Sequence, residues 1–274
     1  KGDFAASAGL TIVDEKMIVG VRGRAIGDEF DIDDVGFVPW KGTAQLLAMG
    51  GPRWYFNDGY IRSILCYAGP LINYEKVDAF TDYGGLIGFN MQFRNNWGFE
   101  INTDFSRSKD RDVVFNSHSA NLSSWFNISP RWNGNIHARY SKTYNFSRDY
   151  LAFYSSLNSS FSWQLNRNLR IGTSANMFVE GNPDGEVEEI TYNTRPFISA
   201  NPINNMSVRV YLDNVLMRTT GQVEQLIGGL LFSYNFSPKS WIYVALNEVQ
   251  YRPGRSLQVR DRAAVFKLKY LYYM

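Results

Sequence analysis

Few residues in this chain could do chemistry. His118 and His137 are its only histidines, and a serine-type hydrolase needs a histidine beside a serine and an acidic group. His118 stands between Ser117 and Ser119, so a serine–histidine pair is imaginable. Serine is abundant throughout the sequence, however, and chance explains this neighbourhood better. We interpret His118 as a hydrated strand-end residue and His137 as part of a polar strand face, and we expect no catalytic residues.

Metal sites receive little more support. The acidic segment 182–189 and the triplet Asp31, Asp33 and Asp34 offer oxygen atoms that could bind calcium. Neither has the spacing of a known calcium loop, so solvated loops are the favoured interpretation. Cys66 is the single cysteine, which leaves no disulfide framework and no cysteine-based metal site. We therefore expect no metal and no cofactor.

Short polar turns recur along the second two-thirds of the chain. Their centres advance by about 35 residues, so the repeating unit is a hairpin of two strands plus one connection. Aromatic residues flank them, for example Phe93 and Trp97 at the first turn and Phe236 and Trp241 at the last. Such a row is typical of a membrane-spanning β-barrel at one lipid–water interface. The turns are 94–96, 130–133, 166–168, 203–205 and 237–240.

The composition agrees with a barrel and excludes several other classes. Aromatic residues make up 16% of the chain, while its mean hydropathy is only −0.28, a mixture that alternating lipid-facing and lumen-facing positions produce. No run approaches the 18 or more apolar residues of a spanning helix. The net charge of +2 is spread along the chain, which argues against a nucleic-acid partner.

The strand faces follow from alternation. Trp97, Phe99 and Ile101 oppose Glu100 and Asn102, and a face this polar suits a hydrated lumen better than a packed interior. Segment 240–251 alternates between two apolar sets, so its faces stay open. The predicted lumen-lining residues are Glu100, Asn102, Asp104, Asn135, His137, Arg139, Asn158, Arg209, Asp213, Asn235, Lys267 and Lys269.

Extending the pattern over the whole chain predicts fifteen antiparallel strands in one transmembrane domain, residues 1–274. Longer connections are predicted at about 27–41, 69–82, 107–112, 147–151, 181–187, 214–221 and 252–258. The predicted strands are about 4–13, 17–26, 43–56, 60–69, 83–93, 97–106, 113–128, 134–146, 152–165, 169–180, 188–202, 206–213, 222–236, 240–251 and 259–274.

An odd strand count has a consequence for completeness. Bacterial barrels have an even number of strands and keep both termini in the periplasm, whereas here Lys1 falls on the opposite side from the end of the last strand. The chain also begins without a signal peptide. We therefore expect the C-terminal part of a barrel of 16 or more strands, completed by upstream strands or a partner chain.

Specific segments carry a family resemblance. Residues 27–38, 195–202, 231–241 and 265–271 resemble the C-terminal barrel of an uncharacterised outer-membrane family of Bacteroidota. Members of that family carry an N-terminal domain similar to family-nine carbohydrate-binding modules. The resemblance implies a location in the outer membrane of a Gram-negative bacterium and a missing upstream segment, and it brings no activity with it.

The last strand points to the same compartment. Phe266, Leu268 and Tyr270 alternate with Lys267 and Lys269, which resembles the terminal signal that the barrel-assembly machinery reads.

The first functional hypothesis is a channel or transporter for small polar solutes or glycan fragments. The second is a non-transporting scaffold or a subunit of a larger membrane complex. A barrel hydrolase is a third, weaker one.

Overall fold

A computed structural model describes residues 3–30, 41–76, 79–110, 112–145 and 147–271. These residues form fifteen antiparallel strands of one sheet, in which each strand is hydrogen-bonded to its neighbours in the sequence. This confirms the predicted all-β class and the predicted strand count. The strands are β1 Ala5–Val13, β2 Met17–Ile26, β3 Thr43–Tyr55, β4 Ile61–Glu75, β5 Phe80–Phe93, β6 Trp97–Asp110, β7 Val113–Ser129, β8 Trp132–Asn145, β9 Tyr150–Asn166, β10 Leu169–Gly181, β11 Val187–Ala200, β12 Met206–Met217, β13 Gln222–Ser237, β14 Ser240–Tyr251 and β15 Gln258–Lys269.

The predicted turns lie where the strands reverse. Asn96 in the β5–β6 turn has a φ of 62°, and Gly59 in the β3–β4 turn has a φ of 81°. Both values lie in the left-handed region, which asparagine and glycine enter at low cost. These residues therefore allow the chain to reverse over a few positions. Each short turn also fixes the register of the two strands that it joins.

Several predicted long connections were wrong. β4 continues to Glu75 and β5 begins at Phe80, β6 continues to Asp110, and β12 continues to Met217. In the first of these segments Gly69 misled the prediction, because it lies within β4 and allows close approach to the neighbouring strand. A Cβ on Gly69 would lie 1.8 Å from the carbonyl oxygen of Ala48. Glycine at such a position marks close backbone contact rather than a loop.

The chain divides into two compact units. Unit 1 comprises residues 1–124 and 139–154, and unit 2 comprises residues 125–138 and 155–274. Strands β1 to β6 therefore lie wholly in unit 1 and β10 to β15 wholly in unit 2, whereas β7, β8 and β9 contribute to both.

In each unit the sheet has one apolar and one polar face. In unit 1, Ile87 pairs with Thr103 and Phe89 with Ile101, and the intervening pair Gly88 and Asn102 lies on the opposite face. In unit 2 the β13–β14 and β14–β15 registers settle the faces of 240–251. Ile242, Val244 and Leu246 share the face of Phe232 and Phe266, and Trp241, Tyr243 and Ala245 share the face of Ser233 and Lys267.

Burial runs opposite to that of a water-soluble protein. Among the described residues, Ala152 is the one fully buried hydrophobic side chain. The buried polar side chains are those of Thr43, Ser63, Ser119, Ser162 and Ser240. Large apolar side chains are exposed on both units, including Ile87 at 56% and Phe266 at 67%. The sheet thus exposes its apolar face and partly covers its polar one.

β1 and β15 are the edge strands. The strand order runs from one to the other without a β1–β15 ladder among the described residues, and all positions of both strands are exposed. No helix in the described ranges is long and apolar enough to cross a membrane.

Candidate functional site on the polar faces

The polar face of unit 1 is organised around Glu100 on β6. The β5–β6 register pairs Glu100 with Asn90 and Asn102 with Gly88, and the β4–β5 register pairs Gly88 with Tyr67. Side chains of three adjacent strands consequently meet at one place. Alternation along β6 also brings Asn102 and Asp104 to this face, because residues two apart in a strand point to the same side.

Glu100 accepts hydrogen bonds from three side chains. The hydroxyl of Tyr67 donates to Oε1 at 2.6 Å, the amide of Asn90 donates to Oε2 at 3.1 Å, and the amide of Asn102 donates to Oε1 at 3.4 Å. Hydrogen bonds to a carboxylate are stronger than bonds between neutral groups. This carboxylate is thus held in place by its neighbours.

The network continues to β7. The amide of Asn121 donates to the side-chain oxygen of Asn102 at 2.9 Å and to the hydroxyl of Ser119 at 3.4 Å. The hydroxyl of Ser119 in turn donates to Asp104. Both carboxylates of this network therefore have donor partners, and their role within the sheet is to hold β4 to β7 in register.

A polar cavity of about 260 Å³ lies further along the polar face of unit 1. The amide of Asn73 donates to Asp82 at 3.2 Å, and the backbone N–H of Lys109 donates to the same carboxylate at 3.0 Å. Arg24 and Glu75 also line this cavity. Its charged groups are of both signs.

The polar face of unit 2 has a second network, on β10, β11 and β12. The amide of Asn176 donates to Asn193 at 3.1 Å, and the amide of Asn193 donates to Asp213 at 2.6 Å. Asp213 also forms an ion pair with Arg195, with Nε and Oδ2 at 3.3 Å. The single carboxylate of this network is thus neutralised by a guanidinium.

Two arginines on the polar face of unit 2 lie over aromatic rings. The guanidinium of Arg195 lies 4.7 Å from the ring centre of Tyr211, and that of Arg209 lies 4.2 Å from the ring centre of Phe197. These distances are within the range of attraction between a cation and an aromatic face. The hydroxyl of Tyr211 donates to Asn247 at 2.8 Å.

A cavity of about 520 Å³ lies beside Arg209. Its lining includes Ser207, Ser233, Tyr243 and Lys267 on the polar face. Within the described part of the chain, no carboxylate lies within ion-pair distance of Arg209 or Lys267. These two cations therefore differ from Arg195, whose charge Asp213 balances.

A tyrosine–glycine row recurs in the two units. A Cβ on Gly88 would lie 2.1 Å from the ring of Tyr67, and a Cβ on Gly229 would lie 2.2 Å from the ring of Tyr211. Each tyrosine thus lies across a glycine of the next strand and donates to a residue two strands away. Which ring lies across which glycine depends on the register of the strands.

The predicted lumen-lining residues are distributed unevenly. Glu100, Asn102 and Asp104 lie together in the unit 1 network, Asp213 lies in the unit 2 network, and Arg209 and Lys267 line the same cavity of about 520 Å³. Lys269 pairs with Trp241 in the β14–β15 ladder, and the backbone N–H of Asn235 donates to Asn205 near a turn. The remaining four, Asn135, His137, Arg139 and Asn158, lie on β8 and β9, outside the strands that carry the networks.

Among the described residues, the sequence candidates for catalysis and metal binding are not brought together. The hydroxyls of Ser117 and Ser106 lie 2.6 Å apart, while the ring of His118 lies 6.0 Å from that of Tyr140. Asp31, Asp33 and Asp34 lie outside the described residues. In segment 182–189, the side chain of Asn182 accepts from the backbone N–H of Glu186 at 2.8 Å within a tight turn.

Within the described ranges, no three His, Cys, Asp or Glu side chains cluster as a metal site would require. Comparison with known proteins found no matching family model and no matching curated protein.

Proposed function

We propose that this chain forms part of a transmembrane β-barrel in the outer membrane of a Gram-negative bacterium and acts as a channel or transporter for small polar solutes or glycan fragments. The observation that carries the proposal is the reversed burial: apolar side chains are exposed on one face, and polar side chains are partly covered and hydrogen-bonded on the other. Lipid is the environment in which such a sheet is stable.

The free energy of exposing the apolar face to water also favours a lipid environment. Covering one large aliphatic or aromatic side chain contributes about 1.5 to 3 kcal/mol. Ile87, Ile198, Phe266 and Leu268 are each more than half exposed. Leaving a whole face of such residues in water would cost more than a small domain gains on folding, whereas hydrocarbon removes that cost.

Aromatic contacts near the short turns also favour a membrane interface. The rings of Phe93 and Trp97 stack at 3.9 Å, and those of Trp132 and Trp163 at 4.8 Å. The indole N–H of Trp97 donates to the hydroxyl of Tyr60 at 3.0 Å. Tryptophan and tyrosine prefer the interface because one end of the ring is apolar and the other is polar.

The transport hypothesis rests on the polar faces, which would line a hydrated lumen. The resemblance to a Bacteroidota family with a module similar to family-nine carbohydrate-binding modules favours glycan fragments among the possible solutes. The full chain, reconstituted into planar bilayers, should give steady, ohmic currents. Electrically silent bilayers with inserted, protease-protected protein would refute the channel and favour the scaffold.

The scaffold is the second candidate, and the edge strands favour it. β1 and β15 each present a row of backbone groups that no neighbouring strand occupies among the described residues, and such groups cost several kcal/mol each in hydrocarbon. Further strands, from the same polypeptide or from a partner, would cover them. A photo-crosslinking amino acid at Ala8 or Ala263 should yield adducts in cells. Absence of any adduct at either position would remove this support.

The orientation of the barrel is a further part of the proposal. The short turns, such as 167–168, would face the periplasm, and 182–186 and 252–257 would face the outside. A cysteine in either of the latter should react with a membrane-impermeant maleimide on whole cells, whereas Arg167→Cys should react only after lysis. Labelling of Arg167→Cys on intact cells would reverse the orientation.

We also propose that the protein is not an enzyme. Residues 117 and 118 are consecutive in a strand and point to opposite faces, and the Ser117 hydroxyl is paired with Ser106. Purified protein should not hydrolyse lipid esters. Turnover that disappears in His118→Ala would overturn this and favour the hydrolase hypothesis.

A further inference from the structure

The polar face of unit 2 carries positive charge that the surrounding residues do not balance. Arg209 and Lys267 line the same cavity of about 520 Å³. Among the described residues, neither has a carboxylate within ion-pair distance. Four strands away from Lys267, Arg195 on β11 shows the contrasting case, because Asp213 lies 3.3 Å from it.

The register places hydroxyl groups between these cations. Ser207 pairs with Ser233, Ser233 pairs with Tyr243, and Tyr243 pairs with Lys267. Arg209 lies two residues from Ser207 on the same strand and hence on the same face. The row thus offers two cationic groups and three hydroxyls to one volume.

The guanidinium of Arg209 is also pre-positioned. It lies 4.2 Å from the ring centre of Phe197, and stacking on a ring leaves the N–H groups at the edge of the guanidinium free to donate. A guanidinium presents paired N–H groups in a planar fork, which matches the two oxygens of a carboxylate or phosphate. Fixing the plane reduces the entropy lost on binding.

We propose that this row, Ser207, Arg209, Ser233, Tyr243 and Lys267, binds small solutes that carry a carboxylate or phosphate group. Arg209 accommodates two oxygens of the anion, Lys267 supplies the second charge, and the serine and tyrosine hydroxyls bind the polar remainder of the solute. The proposal rests on the proposed function, since it takes this face to line the solute path, and it narrows the solute class to anions.

Binding is tested with the full chain in detergent by isothermal titration calorimetry, which does not require a conducting pore. The probes are glucuronate, its neutral counterpart glucose, and inorganic phosphate. Glucuronate or phosphate should bind, and glucose should bind at least tenfold more weakly, because it lacks the group that the cations recognise. Binding of glucuronate alone assigns carboxylated sugars, and binding of phosphate alone assigns phosphorylated solutes.

Two variants and one control make the assignment residue-specific. Arg209→Gln and Lys267→Gln should each weaken anion binding about tenfold or more, since each removes a charge-assisted hydrogen bond. Arg167→Gln removes the same charge from a turn and should bind as the unmodified chain does. Equal binding of glucuronate and glucose, no binding of either anion, or unchanged binding in both variants would overturn the proposal.

Planar-bilayer currents separate this failure from failure of the proposed function. A conducting chain whose reversal potential in a KCl gradient is the same in Arg209→Gln and Lys267→Gln would retain the channel and reject the anion site. A silent chain that still binds glucuronate in the calorimeter would reject the channel and retain the site.

Discussion

The polar faces of the two units share one arrangement and differ in charge. In unit 1, Tyr67 lies across Gly88 and donates to Glu100. In unit 2, Tyr211 lies across Gly229 and donates to Asn247. Near the first tyrosine, Glu100 accepts hydrogen bonds from three side chains and Asp104 accepts one from Ser119. Near the second tyrosine, the guanidinium groups of Arg195 and Arg209 lie over aromatic rings.

The shared part and the variable part have different physical roles. A tyrosine that spans a glycine fixes three strands at once, because its ring needs the space that a side chain would occupy. The charged groups are not required for that packing, so they are free to differ. Where they are fully paired, as at Glu100, they stabilise the register; where they are unpaired, as at Arg209, they remain available to a ligand.

The largest expected effect concerns the face that the two units have in common. A cation on the lipid-facing side near the membrane midplane costs about 2 to 4 kcal/mol. Phe161→Arg and Phe232→Arg should therefore impair insertion, whereas Ser160→Arg and Ser233→Arg should be tolerated. Heat-modifiable migration of the outer-membrane fraction on gels measures the folded population.

The same test in unit 1 sharpens the comparison. Ile101→Arg should impair insertion as strongly as Phe232→Arg does, because both positions lie on apolar faces. Equal tolerance at Phe232 and Ser233 would mean that the apolar face does not contact lipid, and a water-soluble β-protein would then be the better interpretation.

The next effect concerns the tyrosine–glycine rows. An added methyl at Gly88 or Gly229 would clash with the neighbouring ring, and such overpacking costs about 1 to 3 kcal/mol. Gly88→Ala and Gly229→Ala should therefore lower stability in urea titrations of the folded protein. Gly228→Ala is the matched control, since no heavy atom lies within 4 Å of its added Cβ.

A second substitution tests the cause. Replacing Tyr211 with alanine removes the ring, so Gly229→Ala should cost much less in the Tyr211→Ala background than alone. Additive losses in this double-mutant cycle would show that the glycine is required for another reason.

The sequence predicted strands and faces because both depend on local alternation. Glu100, Asn102 and Asp104 lie two residues apart on one strand, so their shared face follows directly from the period of two. The strand count was right for the same reason, since each turn has polar residues, glycine or proline at its centre.

Contacts between strands could not be predicted in the same way. Tyr67 meets Glu100 only because of the β4–β5 and β5–β6 registers, and the first of these contains an irregularity between Ile61 and Ser63. A shift of one residue would turn Tyr67 to the other face. Among the described residues no carboxylate lies within ion-pair distance of Arg209. This absence likewise depends on which residues the register places beside it.

A smaller effect compares the two tyrosine hydroxyls. The hydroxyl of Tyr67 donates to a carboxylate and that of Tyr211 to an amide. Bonds to charged groups contribute about 1.5 to 3 kcal/mol and neutral ones about 0.5 to 1.5 kcal/mol. Tyr67→Phe should therefore destabilise the protein more than Tyr211→Phe in the same urea titration. The reverse order would mean that Glu100 does not depend on this donor.

The smallest expected effect concerns an ion pair in unit 1. It joins Asp28 in the β2–β3 connection to Lys76 in the β4–β5 connection. The hydrogen bond from Lys76 holds the pKa of Asp28 below its ordinary value, and the same bond raises the pKa of Lys76. A lowered carboxyl pKa contributes stability above the unfolded value, and this stability is lost as the pH falls through the folded one.

Amide hydrogen exchange in segments 27–30 and 41–43 should therefore quicken, relative to the intrinsic rate, as the pH is lowered through the acidic range, and Asp28→Asn should remove that pH dependence. Because both side chains are exposed, salt should also weaken the Asp28–Lys76 ion pair.

In unit 2 the corresponding link runs from Thr219 and the backbone N–H of Arg218 to Glu189. Its donors are uncharged groups, so added salt should leave exchange around residue 218 unchanged. An equal salt response at both ends would show that the Asp28–Lys76 charges do not hold the unit 1 connections together.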